Sequence, residues 1–222
     1  MSSPSDSSNL SSLASLLSVL LNSDFIRLLI TEIVQWWNTS RFHGTYRVEA
    51  HHVTLDLTDA GGRLVKYTKR QRVTFLQNNV FAIQDQAWGD GNIFAHYMCS
   101  PGAAVDRYKE GYRWKILISL RGTRNIGDTE SMFVERTITD GFTTPVGNFQ
   151  TQVDHLTQDL TIKVLFPAGR HPKQVTLIEQ NAKRTHRPDK ENITVLPQGR
   201  IQYQWQIRKP HLYESYIVRW EW

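Results

Sequence analysis

Cysteine is almost missing from this chain: 222 residues contain one, Cys99. That excludes a disulfide scaffold. Eight histidines are present, yet no Cys-x-x-Cys, no His-Glu-x-x-His and no pair of histidines one helical turn apart occurs, so the usual zinc spacings are lacking. There is no Gly-x-Ser-x-Gly elbow for a nucleophilic serine. No uninterrupted apolar run reaches the roughly 18 residues of a membrane-spanning helix. The N-terminus carries neither the positive start nor the small-residue cleavage site of a secretory signal. Beyond residue 40, apolar residues at helical spacing are missing too.

What is present is enough for a core. Hydrophobic residues make up 40% and charged residues 21%, which excludes wholesale disorder. The net charge is +5 and the isoelectric point is near 9.4, which permits a nucleic-acid partner without requiring one. Seven Trp, eight Tyr and nine Phe tilt the composition toward strands.

Residues 1–40 form a separate region. Residues 1–9 are Ser-rich and read as a flexible lead-in, followed by an amphipathic helical segment over 10–40. Leu10, Leu13, Leu17, Leu20 and Leu21 follow the i, i+3, i+4, i+7 rule, with Ser11, Ser15, Ser18 and Asn22 opposite. Asn22-Ser23-Asp24 is a polar break with capping chemistry. A second helix places Phe25, Leu28, Leu29, Ile33, Trp36 and Trp37 on one face. The alternative is one long helix through Asn22. Arg27 stands against Asp6, Asp24 and Glu32, so this region is acidic (net −2) and the remaining residues carry +7. An interfacial helix carries Lys or Arg on its polar face to meet anionic lipid, whereas this one carries Ser. The two stripes are therefore expected to dock on the chain's own sheet, on a second copy or on a partner; insertion at a membrane surface is the rival reading.

From residue 41 to 222 the period becomes two. Tyr46, Val48 and Ala50 alternate on even numbers, then Val53, Leu55 and Leu57 on odd ones. The switch predicts a β-bulge near His51-His52. Asp59-Ala60-Gly61-Gly62 reads as a hairpin turn leading to Val65, Tyr67, Val73 and Phe75. Ile93–Cys99 is apolar on both faces and reads as a central strand. Further alternations run through Tyr112–Leu120, Met132–Ile138, Leu160–Phe166, Val175–Leu177, Ile193–Val195, Ile201–Ile207 and Tyr216–Trp222. The fold class predicted is mainly β: an antiparallel sandwich or open barrel of about ten strands, preceded by one or two amphipathic helices.

The chemical candidates are sparse. His51 and His52 point to opposite faces of a strand, as do His96 and Cys99. Cys99 ends an apolar strand, where a lone cysteine packs as a small hydrophobe. Trp88-Gly89-Asp90-Gly91 lacks the alternating oxygen donors of a calcium loop and reads as a tight hairpin. The 122–128 loop lacks the Gly-Lys-Ser/Thr ending of a phosphate cradle. Lys66, Lys69, Arg70 and Arg72 are the nucleic-acid candidates, with Lys183, Arg184, His186 and Arg187 as possible company. Lysines on a strand also guard an edge, so a solvated face competes with that reading. No motif identifies a family, although the layout is similar in arrangement to accessory domains of bacterial signalling and defence proteins. The expectation is a cytoplasmic, non-enzymatic binding module without catalytic residues, metal or cofactor. Its helical segment serves self-association or docking on a protein. The alternatives are a membrane-associated effector and a basic nucleic-acid-binding β-domain.

Overall fold

The computed structural model describes residues 44–222, and Gly44–Trp222 forms a compact unit of its own. The expected helices and their interaction residues, from Leu10 to Trp37, lie outside the described residues. The described part is mainly β, with two single 3₁₀ turns at Lys190–Asn192 and Pro197–Gly199.

Fourteen strands are arranged in three sheets. The largest contains β1 (Tyr46–Leu57), β2 (Leu64–Phe75), β4 (Asn92–Ser100), β7 (Thr129–Thr139), β9 (Thr157–Phe166), β12 (Ile193–Val195) and β13 (Ile201–Arg208), in the order β12-β13-β9-β1-β2-β7-β4. A four-stranded sheet, β11-β10-β14-β8, comprises β8 (Val146–Gln152), β10 (Gln174–Glu179), β11 (Arg184–His186) and β14 (Ser215–Glu221). A three-stranded sheet, β3-β6-β5, comprises β3 (Val80–Ala87), β5 (Ala103–Glu110) and β6 (Arg113–Arg124).

Period-two patterning explains how these sheets share an interior. Val53, Leu55, Leu57, Val65, Leu160, Ile162, Val164 and Phe166 are fully buried on one face of the large sheet. They belong to one apolar cluster with Ile116 and Ile118 of the three-stranded sheet and Val175, Leu177, Val218 and Trp220 of the four-stranded sheet. Each such side chain contributes about 1.5–3 kcal/mol when fully buried. A second cluster joins Tyr46, Val48, Val73 and Phe75 to Val80 and Leu120. The two clusters use opposite parities of β1, and a register shift between Val48 and Ala50 reconciles them.

Four expectations need correction. The count is fourteen strands, because β5, β8 and β11 show little apolar alternation. Pairing is not wholly antiparallel: β1 and β9 run parallel, Val53 opposite Ile162. The long crossover that a parallel pair requires is supplied here by intervening strands of all three sheets. Strand β4 is an edge of the large sheet, not a central strand. The Trp88–Gly91 segment links β3 to β4 in different sheets, so it is a crossover and not a hairpin. There Gly91 takes φ +70°, and a Cβ would lie 2.2 Å from the Thr139 carbonyl oxygen.

Candidate functional site

Charge enters the interior on the core face of β2. Val65, Tyr67, Lys69, Gln71 and Val73 share that face, so Lys69 points inward by parity alone. Its row across the large sheet runs Trp205–Ile162–Val53–Lys69–Val134–Cys99. The next row is Tyr203–Val164–Leu55–Tyr67–Arg136–Tyr97, which adds a second inward cation, Arg136. The answering carboxylate comes from the three-stranded sheet: Asp85 of β3, 4% exposed.

Asp85 is bonded at both oxygens. Lys69 Nζ donates to Oδ1 and forms an ion pair with it, and Tyr97 Oη donates to Oδ2 at 3.1 Å. Burial opposes ionisation of Asp85, but Lys69 and Arg136 outweigh it and hold the carboxyl below the usual carboxylate range. Burial likewise opposes the Lys69 ammonium, and Asp85 overrides it, so Lys69 stays protonated. Tyr97 is pushed upward by burial and by Asp85. Arg136 is 6% exposed and stacks over the Tyr67 ring at 4.1 Å, while its Nε and Nη1 find no hydrogen-bond partner among the described residues.

Histidines flank this cluster as neutral groups. His51 is buried, and burial together with Lys69 lowers its pKa to about 3. His155 stacks on Tyr46 at 4.1 Å, and burial and Lys69 lower it to about 4. Burial raises the Cys99 thiol and the Asp154 carboxyl. Chemically, a doubly bonded carboxylate is a poor base, a protonated lysine is no nucleophile, and a raised thiol is unreactive. The adjoining cavity, lined by Tyr46, Lys69, Asp85, Cys99 and their neighbours, has a volume of about 10 Å³. It has room for about one water.

The sequence-predicted basic cluster is divided by the sheet. Lys69 faces inward, while Lys66, Arg70 and Arg72 lie on the outer face of β2. Lys66 pairs with Glu135 at 2.9 Å and Arg72 with Glu49 at 3.2 Å; Arg70 lies over the Phe133 ring at 5.1 Å. Lys183, Arg184, His186 and Arg187 belong to the region of β11 in another sheet, where Arg184 and His186 both meet Glu179. His52 and His96 are exposed. Among the described residues, no group of three or more His, Cys, Asp or Glu is placed to hold a metal ion, and no helix is long and apolar enough to cross a membrane.

A second cationic feature, missed from the sequence, lies on the β5–β6 hairpin. Every residue of β5 from Ala104 to Glu110 is exposed. The Arg107 guanidinium lies 4.3 Å from the Phe94 ring centre and 5.5 Å from that of Trp114, two rings set perpendicular to each other. Lys109 lies over Trp114 at 6.0 Å. Arg113 lies over Trp88 at 4.8 Å and Tyr112 at 5.2 Å, and its Nε donates to Tyr112 Oη at 3.0 Å. The available signal was cross-strand register: Lys109 opposite Trp114 and Glu110 opposite Arg113 around a Gly111 turn.

No family model matches this chain, and no curated protein matches it in sequence. Solved structures do match in shape. An M1 zinc metallopeptidase from Deinococcus radiodurans is 11% identical, covering 80% of this chain and 42% of its own, with a TM-score of 0.47. Legionella pneumophila aminopeptidase A is 12% identical over 78% of this chain and 21% of its own, at 0.45. A putative protease from Parabacteroides distasonis is 9% identical over 80% of this chain and 40% of its own, at 0.49. This chain therefore spans less than half the length of each, and likeness at this level carries nothing about activity.

Proposed function

We propose that the protein is a cytoplasmic, non-enzymatic binding module whose β-domain is carried by an N-terminal self-association or docking segment. The domain is read as a two-layer sandwich, with the large sheet on one side and the two smaller sheets on the other. The observation that supports the non-enzymatic half of this reading is the closure of the interior charge cluster. Lys69, Asp85 and Tyr97 saturate one another beside a cavity of about 10 Å³, as expected of an ionic lock between layers rather than a reaction centre.

The sequence supplies the second half of the reading. Residues 10–40 carry two apolar stripes, and about ten large side chains left wet cost roughly 25 cal/mol per Å² of apolar area. A second copy of the chain, meeting stripe to stripe, removes that cost symmetrically. Size-exclusion chromatography with light scattering tests this on the full chain and on a variant lacking residues 1–40. The expected result is an assembled full chain and a monomeric, folded truncation. A monomer in both cases rejects self-association, and flotation of the full chain alone with liposomes favours the membrane reading.

A further inference from the structure

We infer that the β5–β6 hairpin is a docking surface for single-stranded nucleic acid. The inference goes beyond the proposed self-association and does not rest on it.

Two cationic surfaces compete for such a role, and their counter-charges separate them. On the outer face of β2, Lys66 and Arg72 are each neutralised by a carboxylate at 2.9 and 3.2 Å, which leaves Arg70 over the Phe133 ring as the one cation of that cluster without an ion pair among the described residues. On the hairpin, Arg107 and Lys109 have no ion pair among the described residues, and the groups they approach are rings. Of the two acidic residues of β5, Glu110 pairs with Lys115 at 3.5 Å, and Asp106, whose Oδ1 accepts the Arg107 backbone N–H at 2.7 Å, alternates to the other face of the strand from Arg107 and Lys109. A ring neutralises none of a cation's formal charge, so Arg107 and Lys109 remain free to meet phosphate.

The rings point to single strands over duplex. Tyr112, beside the Gly111 turn that joins β5 to β6, is 69% exposed. Unstacked bases pile on aromatic faces and on guanidinium planes, and Arg107, with the Phe94 and Trp114 rings beneath it, offers such a plane on the face it shares with Lys109. A duplex hides its base faces and leaves phosphate as the main target. The surface thus combines a backbone-reading charge with base-accepting planes along an exposed edge strand.

The test is fluorescence anisotropy of a labelled oligodeoxythymidine with the full chain at low and raised salt, beside the matching duplex and an abasic oligonucleotide of the same length. Expected are tighter binding to the single strand than to either comparator, and weakening as salt rises. The double variant R107A/K109A loses roughly tenfold or more in affinity, with a salt slope shallower by about one to two. The variant K66A/R72A, which removes the two carboxylate-paired cations on the outer face of β2, binds as the parent does. Circular dichroism checks that both variants remain folded. Any of three outcomes overturns the inference: no binding at low salt, equal binding to the abasic strand, or an equal loss in K66A/R72A. Oligomeric state is scored separately, so failure here leaves the self-association reading untouched.

Discussion

The buried Lys69 and the exposed cations of the hairpin are handled by opposite means. In the interior, Lys69 is paired with the Asp85 carboxylate, in a place where an unpaired charge is costly. On the hairpin, Arg107, Lys109 and Arg113 lie over Phe94, Trp114, Trp88 and Tyr112 with solvent beside them. The interior needs neutralisation because low dielectric amplifies every imbalance, whereas the rim needs none because water screens it. A fully paired cation has its partner already. A cation resting on a ring keeps its charge available to a phosphate.

The largest expected effect comes from breaking the interior side of this contrast. Asp85→Asn keeps the shape but removes the carboxylate that is paired with the buried Lys69 and that also attracts Arg136. We expect a loss of about 3–5 kcal/mol in unfolding free energy at pH 7, read by urea denaturation of the full chain. A loss below about 1 kcal/mol would mean that Asp85 is not the counter-charge that matters.

The pH dependence of stability sharpens the same contrast. His51 and His155 are neutral in the fold, with pKa values lowered to about 3 and about 4. The unfolded chain takes up protons near pH 6.5, so stability falls as pH drops below that value. Each histidine adds about 1.4 kcal/mol per pH unit until its folded pKa is reached. Asp85, held below the usual range, adds stability above the unfolded carboxylate value of about 3.9 and loses it as pH falls through its folded value. The histidine window therefore opens first. His51→Gln is expected to reduce the slope between about pH 6 and 4, and an unchanged slope would show that His51 does not titrate on unfolding.

The inward direction of Lys69 was legible in the sequence, since it shares the parity of Tyr67 and Val73. Its charge argued for solvent and prevailed in the reading, because the partner Asp85 lies in another sheet and no local pattern announces it. Arg136 likewise shares its parity with Val134 and Ile138. The β1 bulge was legible because Val48 and Val53 have opposite parities in one strand, although the shift falls at Val48/Ala50, slightly before the predicted place. Strand β5 was not legible, because exposure on both faces removes the alternation by which strands are recognised. The parallel β1–β9 pair was hidden for another reason: parallel pairing is a property of two distant segments together.

The smallest expected effect lies on the rim and decides what the stacked cations are for. A cation over a ring at an exposed site contributes about 0.5–1 kcal/mol, so Arg107→Ala should lower stability by no more than that. Trp114→Leu then separates charge from packing in a double-mutant cycle with Arg107→Ala, where the expected coupling is below about 1 kcal/mol. Arg70→Ala, removing the single cation–ring contact over Phe133, should behave alike in stability. If instead Arg107→Ala costs as much as Asp85→Asn, Arg107 is a structural closure between β4 and β6 and its charge is not held in reserve. A small cost in stability joined to a large cost in oligonucleotide affinity is the pattern that sets the rim apart from the interior.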